Sequence, residues 1–397
     1  MLSNRIDRIK IEMNIFSTAR IKNIIFYPLI ITLVCLIVLE FLMIILEPYL
    51  FRGFFQYDPD LGFRVRPYAN GTNRFGFNDR DYPLQKEPNI FRILVVGDSF
   101  SWAGGKDRNY TAMLEKHFEE YYGRHQVDVI NAGYPMTSTA EQLEMLKKDG
   151  LQYNPDLVFL GFFMGNDFME ADPNRKKIVV NDVYFDIDKR GEITFLGYPI
   201  VLKSRFVHFV KQKCTVFREL AKFRSVAKTK TDSAVKEEGT FTIDNFLRIE
   251  KARLEFFNVE KYQAKKYQQK IDYIFQSIDK IDQLLKSRNI KFVVGIYPDE
   301  FQVNDDLLNQ IFSRFNLKRE NYNIELGQKI LKQYLDSKQI QYIDMLNEFS
   351  AEGREGQLYL YRDTHWNDSG NELAADIIFR NICGFVEKSN SDKHLPK

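Results

Sequence analysis

Phe91-Arg92-Ile93-Leu94-Val95-Val96-Gly97-Asp98-Ser99-Phe100 is the stretch on which the reading of this sequence turns. Its first part is a short, apolar, β-rich run, the pattern of a strand buried on both faces. Gly97, Asp98 and Ser99 follow at once, so a hydroxyl stands at the carboxyl end of that strand. In an open parallel sheet, ligands bind at that end. A turn into a helix there lifts the Ser99 hydroxyl into the cleft and aims backbone N–H groups at an anion. Gly-Asp-Ser by itself is a weak signal, because so short a motif recurs by chance. Its place at the end of the first strand is what gives it weight.

Working outward, further strands are expected at 127–130, 157–162, 291–296 and 341–344, with helices at 110–122, 139–148, 270–285, 324–335 and 369–385. Ser138 is a candidate N-cap for the second of these helices. Strands alternating with helices predict a parallel sheet with helices on both faces. The alternation breaks between the third and fourth strands, where an insertion of about 170–256 far exceeds a usual crossover. Within it, 178–195 reads as a hairpin and 204–228 as one or two helices. That helical part is basic, with Lys203, Arg205, Lys211, Lys213, Arg218, Lys222, Arg224, Lys228 and Lys230. It fits a helix on an anionic membrane, a clamp for an acidic polymer or a solvated helix docked on the domain.

The amino terminus carries a second strong pattern. Residues 24–46 form an apolar run of about the ~20 residues that cross a hydrocarbon core. Arg5, Arg8, Lys10, Arg20 and Lys22 precede it, against Asp7 and Glu12. The positive-inside rule then predicts a single-pass inner-membrane protein with a cytoplasmic amino terminus and a periplasmic or extracellular domain. The expected layout is a basic tail at 1–22, a transmembrane helix at 23–47, a connecting arm at 48–90 and a domain at 91–397. Glu40 lies inside the run, either as a contact for a membrane-protein partner or as a tolerated polar residue. Formal net charge is only +2, too balanced to suggest nucleic acid as a partner. The three cysteines, Cys35, Cys214 and Cys383, are too scattered to suggest a metal cluster, although Cys214 and Cys383 are a candidate disulfide pair. No metal or organic cofactor is expected.

Three more blocks fall beside strand ends or helix starts. Asn131-Ala132-Gly133 closes the second strand, Gly165-Asn166-Asp167 follows the third, and Asp363-Thr364-His365-Trp366 precedes the last helix. Acyl transfer needs a nucleophile, a base and hydrogen-bond donors where the carbonyl oxygen becomes negative. Ser99, His365 and Asp363 match the first two needs, with Asp363 orienting and charge-stabilising the imidazole. A glycine N–H and an asparagine amide match the third. Asp98 and Asp167 read as loop-holding residues, and Trp102 and Trp366 as either sugar-stacking or core residues.

These four ordered blocks resemble those of the SGNH (GDSL-type) hydrolase superfamily, over roughly residues 92–385 without the insertion. The resemblance implies a three-layer α/β/α flavodoxin-like domain and a Ser99 nucleophile. It also implies an oxyanion hole from the Ser99 N–H, the Gly133 N–H and the Asn166 side chain, with His365 as base and Asp363 behind it. Two departures stand out. The family's second block often reads Asn-x-Gly-x-x-Gly, whereas Met136 occupies the last position here. The Asp-x-His-Trp form of the last block is similar to that of membrane-linked and periplasmic members, including those that O-acetylate exported polysaccharides. The expected activity is therefore a serine esterase or O-acyltransferase on acetyl esters of a cell-surface or exported glycan. A lipid acyl hydrolase or thioesterase, and a non-catalytic scaffold or glycan-binding protein, remain as alternatives.

Overall fold

The structure is a computed structural model describing residues 22–50, 53–123, 126–180, 182–188, 194–195, 198–199, 206 and 239–394. Five strands form one parallel sheet: β1 (Phe91–Gly97), β2 (Val127–Gly133), β3 (Leu157–Phe163), β4 (Lys291–Tyr297) and β5 (Gln341–Asp344). Their spatial order is β2-β1-β3-β4-β5. Every residue of β1 and β3 is buried, as their unbroken apolar runs require. Alternate side chains serve opposite faces. Leu94 and Val96, with Leu160 of β3, join a core with Leu146 and Ile278 of one helical layer. Ile93 and Val95, with Phe159 of β3, join another with Leu114 and Ile378 of the opposite layer. The expected α/β/α arrangement and flavodoxin-like strand order are thus present.

This order matters for the site. From β1 the chain steps outward to β2, then returns to the other flank of β1 as β3. The carboxyl ends of β1 and β3 therefore border the switch point, where a crevice opens in such sheets. Ser99 follows β1 and Asn166 follows β3, so topology alone places both at that crevice. The helix Thr139–Lys148 begins with the expected cap: Ser138 and Glu141 form a capping box.

The segment expected to be a connecting arm is irregular but built into the domain from Phe54 onward. Leu61, Phe63, Val65, Phe77 and Tyr82 are buried in the first core. Its side chains also cover the open edge of β2. Asp79 Oδ2 accepts the Asn131 N–H at 2.8 Å, and Tyr82 donates to the Val129 carbonyl at 3.0 Å. Such capping removes a free edge that would otherwise pair with other chains. Phe246, Leu247 and Leu254 likewise belong to the core, so the helix Ile243–Leu254 is part of the domain rather than of the insertion. Strands Arg175–Val180 and Val183–Asp188 stand where a hairpin was expected. The expected helix at 204–228, its basic residues and Cys214 lie outside the described residues, apart from Phe206. Cys35 and Cys383 are free thiols.

Residues 1–53, with 181–185 and 191–233, form a separate unit. Its described part is dominated by the helix Tyr27–Leu50, whose apolar side chains are largely exposed. Glu40 accepts a hydrogen bond from the Phe206 N–H at 3.2 Å, so part of its valence is met within the chain. Among the described residues, no helix is long and apolar enough to cross a membrane. The transmembrane helix expected at 23–47 is therefore not established by the structure.

Arg92 holds three parts of the domain together and is 1% exposed. Its guanidinium meets Asp128 at 2.9 Å and donates to the carbonyls of Pro83 at 3.0 Å and Tyr153 at 2.7 Å. Replacing it with an apolar side chain strands a carboxylate and two carbonyls. Arg92→Met is expected to cost about 3–5 kcal/mol. The check is a lowered urea midpoint with an unchanged slope.

Candidate active site

Ser99 opens a short helix, Ser99–Trp102, directly after β1. Asp98 caps it, its Oδ1 accepting the Phe100 N–H at 2.9 Å. This is the loop-holding role expected for Asp98. Asp167 has a like role, its Oδ2 accepting the Phe163 N–H at 2.8 Å. The helix is also fixed from below. Ser101 Oγ lies 2.6 Å from the Tyr110 hydroxyl, which accepts from Tyr297 at 2.8 Å, and Asn131 Nδ2 donates to the Ser101 carbonyl at 2.7 Å. Gly97 and Gly133 make room for Ser101, because a Cβ on either would approach its side chain to within 2.4 Å and 2.3 Å.

His365 reaches this serine from the other end of the sequence. Its Nε2 is 2.9 Å from Ser99 Oγ, across 266 positions of chain. Its Nδ1 is 2.7 Å from Asp363 Oδ1. A tight turn presents both groups: Leu360 N–H donates to the His365 carbonyl at 2.9 Å and Asp363 N–H to the Leu360 carbonyl at 3.1 Å. Arg362 completes the turn in the left-handed region, with φ 48°. Burial pushes the Asp363 carboxyl up, but hydrogen bonds from the His365 ring and the Thr240 hydroxyl outweigh it and hold it at about 2. Asp363 is therefore ionised wherever His365 acts as a base, and it can stabilise the imidazolium that forms.

The expected oxyanion donors divide. Asn166 stands at the crevice, its amide donating one hydrogen to Glu170 Oε1 at 3.1 Å. The same Asn166 side chain also bears on the buried Asp98 carboxyl, where its hydrogen bond opposes the rise that burial causes. The Ser99 N–H begins the helix and makes no hydrogen bond within it. Gly133 does not fit its expected role. Its N–H donates to Asn131 Oδ1 at 2.9 Å, and its α-carbon faces Ser101. A turn at 134–137 follows it. Thr137 and the Tyr134 N–H hold this turn against the Gly97 carbonyl, and Met136 adopts φ 64°. The departure from glycine at Met136 thus leaves the left-handed backbone intact, at the strain that a side chain adds there.

Trp366 is not a stacking platform. It is 2% exposed and packs edge-on or tilted against Phe100, Tyr110, Tyr297 and Phe349. Trp366 also pairs with Tyr359 in an isolated antiparallel bridge. Trp102 is half-buried against Phe54 and Tyr134. Sequence reasoning missed the ionic layer behind the site. Half-buried Arg253 joins Glu250 at 3.1 Å and Asp299 at 3.3 Å, while Lys177 joins Glu170 at 2.5 Å. Glu170 was legible, standing four positions after Asn166 on one helical face. Arg253 and Lys177 carry no such local signal. Among the described residues, no group of three or more His, Cys, Asp or Glu side chains is arranged to hold a metal ion.

Residues 256–392 match the model of a family described as SGNH hydrolase-like domain, acetyltransferase AlgX. That stretch is therefore similar to an SGNH hydrolase-like domain. The matched residues include Asp363 and His365 but begin after Ser99, Gly133 and Asn166, which lie at or just past strand ends of the same sheet. Among solved structures, this chain is similar to the acetyl xylan esterase AlAXEase, at 15% identity over 74% of this chain and 100% of that one, with a TM-score of 0.39. It is also similar to a catalytic mutant of the acetylxylan esterase Axe2 from Geobacillus stearothermophilus, at 10% identity over 75% and 96%, TM-score 0.39. A lipase/acylhydrolase from Enterococcus faecalis is similar at 14% identity over 74% and 96%, TM-score 0.34. At such TM-scores these likenesses carry no weight for activity. No curated protein matches the sequence.

Asp363→Asn in this domain keeps the shape but loses the charge and favours the wrong imidazole tautomer. Ester turnover is expected to fall by on the order of 10³–10⁴. A carboxyl held below its ordinary 3.8 contributes stability that is present above that value and lost as pH falls toward 2. The stability gap between the native protein and Asp363→Asn should therefore narrow as denaturation is followed from about pH 5 to about pH 2.

Proposed function

We propose that this SGNH hydrolase-like domain is a serine acyl-ester enzyme that removes or transfers acetyl groups on a glycan. The observation that carries the proposal is the continuous relay from Ser99 Oγ through His365 to Asp363, at 2.9 Å and 2.7 Å. In the forward step His365 Nε2 takes the hydroxyl proton as Ser99 Oγ bonds to the ester carbonyl carbon. The carbonyl oxygen becomes negative opposite the Ser99 N–H and the Asn166 amide. Collapse breaks the C–O bond to the alcohol, which leaves with the proton returned by His365. Water or a sugar hydroxyl then repeats the sequence on the acyl-serine. The acetyl part of the proposal is supported by the acetyltransferase description of the matched family, and the glycan part by the likeness of the Asp363-Thr364-His365-Trp366 block to that of members that O-acetylate exported polysaccharides.

Membrane attachment at 23–47, with a cytoplasmic tail and an exported domain, is part of the same proposal. It is supported by the basic residues before the apolar run and by the exposure of Leu29, Ile31, Leu33, Ile37 and Ile45. So large an exposed apolar surface calls for lipid or a partner.

A fluorophosphonate probe tests the chemistry directly. The protein is expected to be labelled once, and Ser99→Ala to abolish labelling. A series of p-nitrophenyl esters tests the substrate class, with acetate turned over fastest and activity falling as the acyl chain lengthens. Labelling that survives in Ser99→Ala would remove the proposed nucleophile, and a preference for long chains would shift the reading to a lipid acyl hydrolase.

A further inference from the structure

Behind the crevice, a single ammonium group touches both sides of the oxyanion pocket. Lys177 Nζ lies 2.5 Å from Glu170 Oε2 and 3.2 Å from the Met136 carbonyl oxygen. Glu170 in turn accepts the Asn166 amide through its other oxygen at 3.1 Å. One cation is thus hydrogen-bonded to the peptide that follows Met136 and, through one carboxylate, to the Asn166 side chain. The Lys177 side chain is 16% exposed, so these charge-assisted bonds are partly shielded from water. Its own backbone is tightly seated. The Val179 N–H donates to the Gly62 carbonyl at 3.3 Å, and a Cβ on Gly62 would fall 1.9 Å from the Lys177 carbonyl oxygen.

We propose that Lys177 is a positioning residue that sets both movable walls of the oxyanion pocket, the Met136 turn and the Asn166 amide. The inference rests on the reading of Ser99 and Asn166 given above. Two physical needs meet in Lys177. A side chain at Met136 makes its left-handed φ of 64° unfavourable, so the turn needs an external hold, and the Lys177 bond to its carbonyl provides one. An asparagine amide turns about its last torsion unless its hydrogens are held, and Glu170 contributes its share of that hold while Lys177 keeps the carboxylate in place. Donors held in advance stabilise the transition state more than the bound ester, so the effect belongs in kcat rather than KM.

The test uses the full chain and p-nitrophenyl acetate, with Lys177→Met, Lys177→Arg, Glu170→Gln and the Lys177→Met/Glu170→Gln double variant. Lys177→Met is expected to lower kcat by about 10–100-fold with KM changed by less than about twofold, and to slow fluorophosphonate labelling in proportion. Lys177→Arg restores part of the loss. The double variant is no worse than the more damaged single one, because both break the same tether. Adding Met136→Gly to Lys177→Met should recover part of kcat, since glycine holds the left-handed turn without help. This second variant also separates loss of positioning from loss of folding, as does the thermal midpoint of each protein. Unchanged kcat in Lys177→Met, additive losses in the double variant, or a rise confined to KM would overturn the proposal. Hydrolysis surviving in Ser99→Ala would instead overturn the functional reading on which it rests.

Discussion

The contact between His365 Nε2 and Ser99 Oγ is the constraint to which the rest of the domain answers. It joins two residues 266 positions apart, and neither has chemistry to offer without the other. Each is delivered by a different device. Ser99 is raised by the turn out of β1, capped by Asp98 and pinned through Ser101. His365 is delivered by the turn before the helix Asp368–His394, which packs against Tyr110–Tyr122 on the same face of the sheet. The buried Trp366 belongs to this second device. By filling the space between Phe100 and Phe349 it locks the turn that carries His365 to the layer beneath the serine. Of the two readings the sequence leaves open for Trp366, stacking and packing, the structure shows packing.

Electrostatics at the site follow from where each carboxyl sits. Burial raises Asp98 to about 6, with the Glu170 charge adding to the rise. Burial also raises Glu300 to about 8 despite a hydrogen bond from Asn304. Asp363 moves the other way, to about 2, because the imidazole and Thr240 donate to it. Carboxyl groups thus span a wide range within one neighbourhood, and the differences come from donors rather than from exposure alone. The carboxyl that must be charged behind the base is the one on which several donors converge. Arg253, half-buried beside Glu250 and Asp299 and stacked 5.0 Å over Phe163, supplies the positive charge that makes so acidic a layer tolerable.

The strands were legible because buried runs such as Phe91–Gly97 and Leu157–Phe163 carry an unbroken apolar signal of local origin, whereas their order followed from the resemblance to the SGNH hydrolases. The triad was legible for a related reason: Ser99, Asp363 and His365 each stand at a strand end or a helix start. Gly133 was misread because a glycine at a strand end has two uses, an open N–H or a close approach. Only the structure shows that Ser101 claims the approach and Asn131 claims the N–H. The packing of 54–90 was hidden for a different reason. Phe63, Phe77 and Tyr82 enter the core from irregular backbone, so no periodicity marks them. Lys177 and Arg253 were hidden because their partners are distant in sequence and ion pairing leaves no local pattern.

The central claim is that the serine, the base and the donors share one point in space. The most direct measurement is a crystal structure of the full chain inactivated by a fluorophosphonate. The account predicts phosphorus bonded to Ser99 Oγ and a phosphoryl oxygen within hydrogen-bonding reach of the Ser99 N–H and the Asn166 amide, with His365 still facing the modified serine. An adduct whose phosphoryl oxygen points toward Gly133, or a His365 ring turned away from Ser99 with Asp363 paired elsewhere, would contradict it.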